Sequence, residues 1–387
     1  MDYSSVAQFI REQYHSSDFI PLHEPVFLGN EKRYLQECID STFVSSVGKF
    51  VDRFEEMVAE FTGARYAVAV VNGTAALHTA LICAGVRPND EVITQPLTFI
   101  ATCNAISYCQ AVPLFVDVDR RTLGMSAAAL ERFLLTETEK TSGGLRNRVT
   151  GNRIGAILPM HTFGNPCEIE RIQELARSFE VPMIEDAAES LGSYYGEKHT
   201  GRFGLIGTFS FNGNKTITTG GGGMVITDDP GLASRAKHLT TTAKLPHEYE
   251  FLHDEIGFNY RLPNINAALG CAQMESLPLI LRRKKKLASK YREFFAQKDV
   301  EFVEAVSPGK SNHWLNALVL QNPEERQAFL EFMNSSGVMV RPVWRLMSRL
   351  PMFESAPRGN LYVAESLEQR VVNIPSGPRM MEKEEKS

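Results

Sequence analysis

The sequence predicts an α/β fold: a mostly parallel, seven-stranded sheet flanked by helices, followed by a smaller α+β C-terminal domain. Two patterns carry that expectation. From about Arg65 to Asp228, short β-branched runs alternate with longer helical stretches, as βα units around a parallel sheet do. After about Gly270 the alternation gives way to a long basic amphipathic helix and then a strand, a helix and a strand. The length of 387 residues exceeds one ordinary domain, and 43% hydrophobic with 22% charged residues is ordinary for a chain with an ample core.

Taken in order, the first 30 residues show no clear periodicity and read as an arm packed onto one of the domains, until a helical pattern appears from Asn30 to Ser41. The seven strand candidates are AVAVV (67–71), DEVIT (90–94), AVPLFV (111–116), GAILPM (155–160), VPMIE (181–185), GTFSF (207–211) and MVIT (224–227). Between them, Thr74 to Ala84, Ile100 to Tyr108, Glu168 to Phe179 and Gly231 to Leu239 carry helical spacing. The later segments fall near 313–320, 323–335 and 338–343. The expected division is therefore an arm (1–30), a large domain (31–260) and a small domain (261–387), with the charged end MEKEEKS frayed.

Composition excludes several classes. A net charge of −5 with a pI near 6.0 provides no field to gather nucleic acid. The one basic run, Arg282 to Lys286, sits among leucines at helical spacing and reads as a solvated helix face. No apolar run approaches the ~20 residues that span a bilayer, and Met1 to Ile10 lacks the pattern of a secretory signal. The expectation is a cytoplasmic chain without membrane contact. The six scattered cysteines, Cys38, Cys83, Cys103, Cys109, Cys167 and Cys271, form no CxxC pair and read as buried thiols in a reducing compartment. The nine histidines show no HExxH and no metal-ligand spacing.

Three segments carry chemistry. In VVNGTAALHTAL (70–81) a strand runs into Asn72-Gly73-Thr74 and a helix begins at once. The unpaired first-turn amides and the helix dipole suit an anion, although alone this is equally an ordinary capped helix. In MIEDAAESLG (183–192) a buried strand delivers Glu185 and Asp186 to the carboxyl edge of the sheet, where ligands of open α/β sheets bind. An aspartate there can hold a proton on a heteroaromatic nitrogen by a charge-assisted hydrogen bond; it can also be a helix cap. In GTFSFNGNKTITTGGGGMVIT (207–227) one lysine, Lys215, stands 29 residues beyond Asp186 and before four glycines. A Walker A loop is excluded, because Asn214 precedes the lysine and Phe209 takes the first glycine position. A solvated loop lysine remains one reading, and an amine presented at a sheet edge for Schiff-base chemistry the other. Phe99, opening a helix after a strand, is a candidate to stack on a planar ring.

Together and in this order, these segments resemble the DegT/DnrJ/EryC1/StrS family of pyridoxal phosphate (PLP)-dependent sugar aminotransferases, a branch of fold-type I. The resemblance also runs through PVFLGNEKRYLQECIDSTFVSSVGKFVDRFEEMVAEFTG (25–63), FVDVD and GFNYRLPNINAALG (257–270). NGNKTITTGGGGMV and RPVWRL…NIPSG look most like the subgroup making 4-amino sugars for legionaminic acid, bacillosamine and related bacterial glycans. The resemblance implies that Lys215 is the lysine holding PLP as a Schiff base and that Asp186 faces the pyridine nitrogen. It implies that Phe99 stacks on the ring and that Gly73, Thr74 and Ser210 bind the phosphate. It further implies a homodimer with the site at the interface, in which Asn259 reaches the partner's phosphate. Glu189 stands where the family commonly has Gln, above the cofactor.

By the same resemblance, glutamate donates the amine, Lys215 shuttles a proton, and a nucleotide-linked keto sugar, expected as a UDP-linked 4-keto-6-deoxy sugar, accepts it. His161, His313, Trp314, Arg341 and Trp344 are candidates to line the substrate side. A 3-keto sugar aminotransferase is the near alternative. A sugar 3-dehydratase would carry His in place of Lys215, and a non-catalytic sugar-binding homologue would be expected to lose Lys215 or Asp186. A nucleotide-binding α/β enzyme without PLP would need a phosphate loop that this chain lacks.

Overall fold

The computed structural model describes residues 1–378. Its central sheet has seven strands: β1 (Tyr66–Val70), β2 (Glu91–Thr94), β3 (Val112–Phe115), β4 (Ile154–Leu158), β5 (Ile184–Asp186), β6 (Ile206–Ser210) and β7 (Gly223–Thr227). Their spatial order is β3-β2-β4-β5-β6-β7-β1, with β4 and β5 joined by the parallel bridges Ile157 to Met183 and Met160 to Asp186. Only β7 runs against the others, pairing antiparallel with β6 and β1. The expected seven-stranded, mostly parallel sheet is thus present.

Strands β2, β4 and β7 are buried at every position, which is what a sheet covered on both faces requires of its sequence. Around it lie α2 (Glu31–Asp40), α3 (Lys49–Thr62), α4 (Gly73–Cys83), α5 (Ile100–Tyr108), α6 (Ala127–Thr136), α7 (Ile169–Ser178), α8 (Pro230–Thr240) and α9 (Asn264–Phe295), while α1 (Tyr3–Tyr14) packs away from this sheet, on the end of α9. Helix α4 is nearly apolar all round and is sandwiched, with Ala75, Ala76, Leu77, Ala80 and Leu81 in one core with β1, β4 and β7.

A second, antiparallel sheet follows, in the order β8 (Glu301–Phe302), β9 (Asn316–Val319), β11 (Val371–Ile374) and β10 (Arg341–Pro342), with α10 (Pro323–Ser335) against it. Helix α9 begins before the expected change at Gly270 and serves two cores. Its first half packs Ala267, Cys271 and Leu277 on α2 and α3, and its second half packs Leu287, Tyr291 and Phe295 with α1 and the second sheet.

Four expectations need correcting. The N-terminal stretch does contain a helix, α1: Val6, Ala7, Ile10 and Tyr14 bury one narrow stripe against Tyr291 and Phe329, while Asp2 caps the helix by accepting from the Ser4 and Ser5 amides. That stripe is too thin among polar residues to stand out as periodicity. The Arg282–Lys286 run is not wholly solvated, because Lys284 is 1% exposed. Cys83 is only half-buried, unlike the other five thiols. β11 was not foreseen, since only two residues separate its four from the seven-residue helix Tyr362–Glu368. MEKEEKS lies outside the described residues. Among the described residues no helix is long and apolar enough to cross a membrane.

Candidate active site

Because β1, β5 and β6 run in the same direction, their carboxyl ends open at one edge of the sheet. β1 leads through Asn72 into α4. The Asn72 side chain caps that helix by accepting from Ala75 N at 2.8 Å. Gly73 opens the first turn against the end of β6: a Cβ on it would come within 2.8 Å of Ser210 Cβ. A side chain on Gly223, the first residue of β7, would collide with the Asn72 carbonyl. Two glycines therefore let three strand ends converge, and the helix start presents its amides, with Thr74 and Ser210 beside it, to a cavity of about 300 Å³.

The last two residues of β5 show how the pleat sorts chemistry. Successive side chains leave a strand on opposite faces. Glu185 turns away from the cavity and accepts from the Gly201, Phe203 and Gly204 amides and bonds His161 Nε2 at 2.9 Å. Asp186 lines the cavity, accepting from Thr102 Oγ1 at 2.7 Å and Ala188 N at 3.2 Å. Burial raises its pKa, and the bonds from Thr102 and Ala188 work the other way. His161 is fully buried in the Glu185 pair and does not line the cavity, which corrects the expectation that it meets substrate.

Lys215 enters from the loop after β6. Its Nζ lies 3.2 Å from Glu189 Oε1 and 4.0 Å from the centre of the Trp314 ring. Glu189 is 2% exposed and its other oxygen accepts from Phe163 N at 3.0 Å. Burial pushes the Glu189 carboxyl up to about 7, with Lys215 pulling against it. Phe99 and Trp344 face one another across 6.3 Å, edge to face, and both line the cavity. Phe99 is 48% exposed, an unusual state for a phenylalanine beside a core and one suited to receiving a flat ring.

Gly73, Thr74, Phe99, Asp186, Glu189, Ser210, Lys215, Trp314 and Trp344 thus meet in one cavity. Three other candidates do not. His313, whose backbone is left-handed (φ 53°), lines a separate depression beside Arg282 and Lys285. Arg341 is exposed on β10, the edge strand of the second sheet. Asn259, expected at the partner's phosphate rather than in this chain's own cavity, is exposed and bridges to Thr241. Two contributors were missed. Thr102 holds Asp186 from the first turn of α5, three residues after Phe99, and Asn214 accepts from Trp314 Nε1 at 2.7 Å. Thr102 was within reach of the sequence, since i and i+3 share a helix face.

The residues present fit pyridoxal phosphate. An amide-rich helix start made tight by Gly73 suits a phosphate, a buried carboxylate suits a pyridinium, an exposed aromatic suits a ring face, and one lysine suits an aldehyde.

Comparison with known proteins agrees. The model of the DegT/DnrJ/EryC1/StrS aminotransferase family matches residues 28–387. A GDP-perosamine synthase of Escherichia coli O157:H7 is 38% identical over 366 residues, covering 94% of this chain and 94% of the relative. Another GDP-perosamine synthase, from Caulobacter vibrioides, is 35% identical, covering 92% and 93%. Among solved structures, the aminotransferase TlmJ from Streptoalloteichus hindustanus superposes with a TM-score of 0.83 at 25% identity, covering 92% of this chain and 93% of that one.

Proposed function

The chain belongs to the DegT/DnrJ/EryC1/StrS aminotransferase family, and on that premise we propose that it moves an amino group from glutamate to C4 of a nucleotide-linked 4-keto-6-deoxy sugar. The family is PLP-dependent, and the protein is a sugar aminotransferase. The observation that carries the site assignment is the meeting of Lys215, Asp186 and the Gly73-Thr74 helix start in one cavity.

Pyridoxal phosphate, when bound, supplies the electron sink that makes the donor's Cα–H labile. The amides of Gly73 and Thr74, with the Thr74 and Ser210 hydroxyls, bind its phosphate. Asp186, steadied by Thr102, keeps the ring nitrogen protonated. Phe99 stacks on the ring. Lys215 Nζ would act as the base that takes the proton from the donor's Cα and as the acid that returns one to C4 of the keto sugar. Glu189, pushed up to about 7 by burial, is about half protonated near neutral pH, and its protonated form can donate to the ring's phenolic oxygen, the task of the family's Gln. Trp314 and Trp344 exclude water from the amine.

The nucleotide expected from sequence was uridine; we assign guanosine instead, because the relatives at 38% and 35% identity carry the name GDP-perosamine synthase. The product enters bacterial surface glycans, and the enzyme works in the cytoplasm. A homodimer is part of the reading: exposed apolar side chains concentrate at Phe43, Val44 and Val47 and at Tyr249, Phe251 and Ile256, and the exposed Asn259 is close in sequence to the second group. The test is incubation with glutamate and GDP- or UDP-linked 3-keto and 4-keto sugars. Amination at C4 of the GDP-linked substrate is expected, and product at C3 alone overturns the assignment.

A further inference from the structure

The basic run on α9 contains a residue for which the proposed reaction has so far had no use. Lys284 is 1% exposed, whereas Arg282 and Lys285 on either side are open to solvent. Its Nζ lies 3.0 Å from His23 Nε2, 3.2 Å from Trp314 O and 2.6 Å from Ser376 O. These acceptors come from the segment after α1, from the approach to β9 and from the chain just beyond β11. An ammonium has three N–H groups, and three acceptors exhaust them. None of the three is a carboxylate, so the amine is sunk in the core without a counter-charge among them, an arrangement that ordinary packing avoids.

What that amine grips is the backbone of Trp314. Trp314 N donates to Asn312 Oδ1 at 2.8 Å and its Nε1 donates to Asn214 O at 2.7 Å, so Lys284 completes the hold on all three of its polar atoms. The indole held in this way puts its face 4.0 Å from Lys215 Nζ. A cation is attracted to that face, and displacing the ring changes where the Lys215 amine rests.

We propose that Lys284 is a positioning residue of the site: from outside the cavity, its buried amine clamps Trp314 so that the indole face stays against Lys215 Nζ. The inference rests on the reading of Lys215 as the working amine. It also gives the N-terminal segment a task, since His23 is one of the three acceptors that orient the clamp.

The chain has two tryptophans, Trp314 and Trp344, so Trp344→Phe leaves Trp314 as the sole emitter. In cofactor-free protein on that background, Lys284→Met should move Trp314 emission to longer wavelength and raise its quenching by acrylamide. In the otherwise wild-type enzyme, Lys284→Met should lower kcat roughly 10- to 100-fold while leaving KM for glutamate within about twofold, because no substrate contact is removed. Should the Met variant not fold, Lys284→Gln, one atom shorter but still polar, is read in the same way. A folded Met or Gln variant with Trp314 emission and quenching as in wild type overturns the proposal, and so does a changed emission with unchanged kcat. Failure of borohydride to fix pyridoxal phosphate on Lys215 of the wild type would instead remove the premise, and the cofactor-free emission separates the two outcomes.

Discussion

Lys215 and Lys284 both touch Trp314, the first with its amine at the ring face and the second with its amine at the backbone carbonyl. Lys284 has three acceptors for three N–H groups and is almost fully buried. Lys215 has one carboxylate partner, an aromatic face and about 300 Å³ of space. A buried amine whose bonds are all made can only hold things in place; one with bonds left over can react. The same contrast separates Glu185, which takes three amides and an imidazole, from Asp186 next to it, which takes one hydroxyl and one amide and faces the cavity.

The contrast breaks first at Lys215. Lys215→Ala should cut transamination roughly 10⁴-fold while leaving the melting temperature of the cofactor-free protein within a few degrees of wild type. A large loss of stability there would make Lys215 a structural residue. For the carboxylates, Asp186→Asn should cost roughly 10²- to 10³-fold in kcat with little change in urea midpoint. Glu185→Gln should do the reverse, losing about 3 kcal/mol of stability because a buried amide acceptor and charge partner is replaced. Equal stability losses in the two variants would erase the distinction.

Lys284→Met is expected to cost about 2 kcal/mol in urea denaturation, since it strands a ring nitrogen and two carbonyls in the core but also removes a buried amine. The effect at Glu189 shows only as a pH dependence. In cofactor-free protein the folded state keeps that proton up to about 7 and the unfolded chain only to its ordinary 4.5. The contribution is therefore complete below 4.5 and is lost as pH rises through 7. Glu189→Gln should flatten that decline by about 3 kcal/mol between pH 4.5 and 7.5, measured by urea melts across the window.

Much of this was legible in the sequence because the chemistry sits where patterns change. The β-branched runs marked all seven strands of the large sheet, and Gly73, Asp186 and Lys215 each stand at or just past a strand end, where a ligand edge is expected. What stayed hidden depends on neighbours distant in sequence. Lys284 reads as one more surface lysine until His23, Trp314 and Ser376 are brought around it. His161 reads as a substrate-side candidate until β4 and β5 pair and seat it on Glu185. α1 shows only four buried residues, too few to separate from an irregular arm until Tyr291 and Phe329 cover them. Spacing along the chain reports the period of an element but not which distant segment covers its face.

The central claim is that Lys215 carries the cofactor. Borohydride reduction of the protein loaded with pyridoxal phosphate, followed by proteolysis and peptide mass measurement, tests it directly. The account predicts a phosphopyridoxyl group fixed on Lys215 and its absence from Lys215→Ala; the same group on Lys284 or any other lysine, or on none, would contradict it.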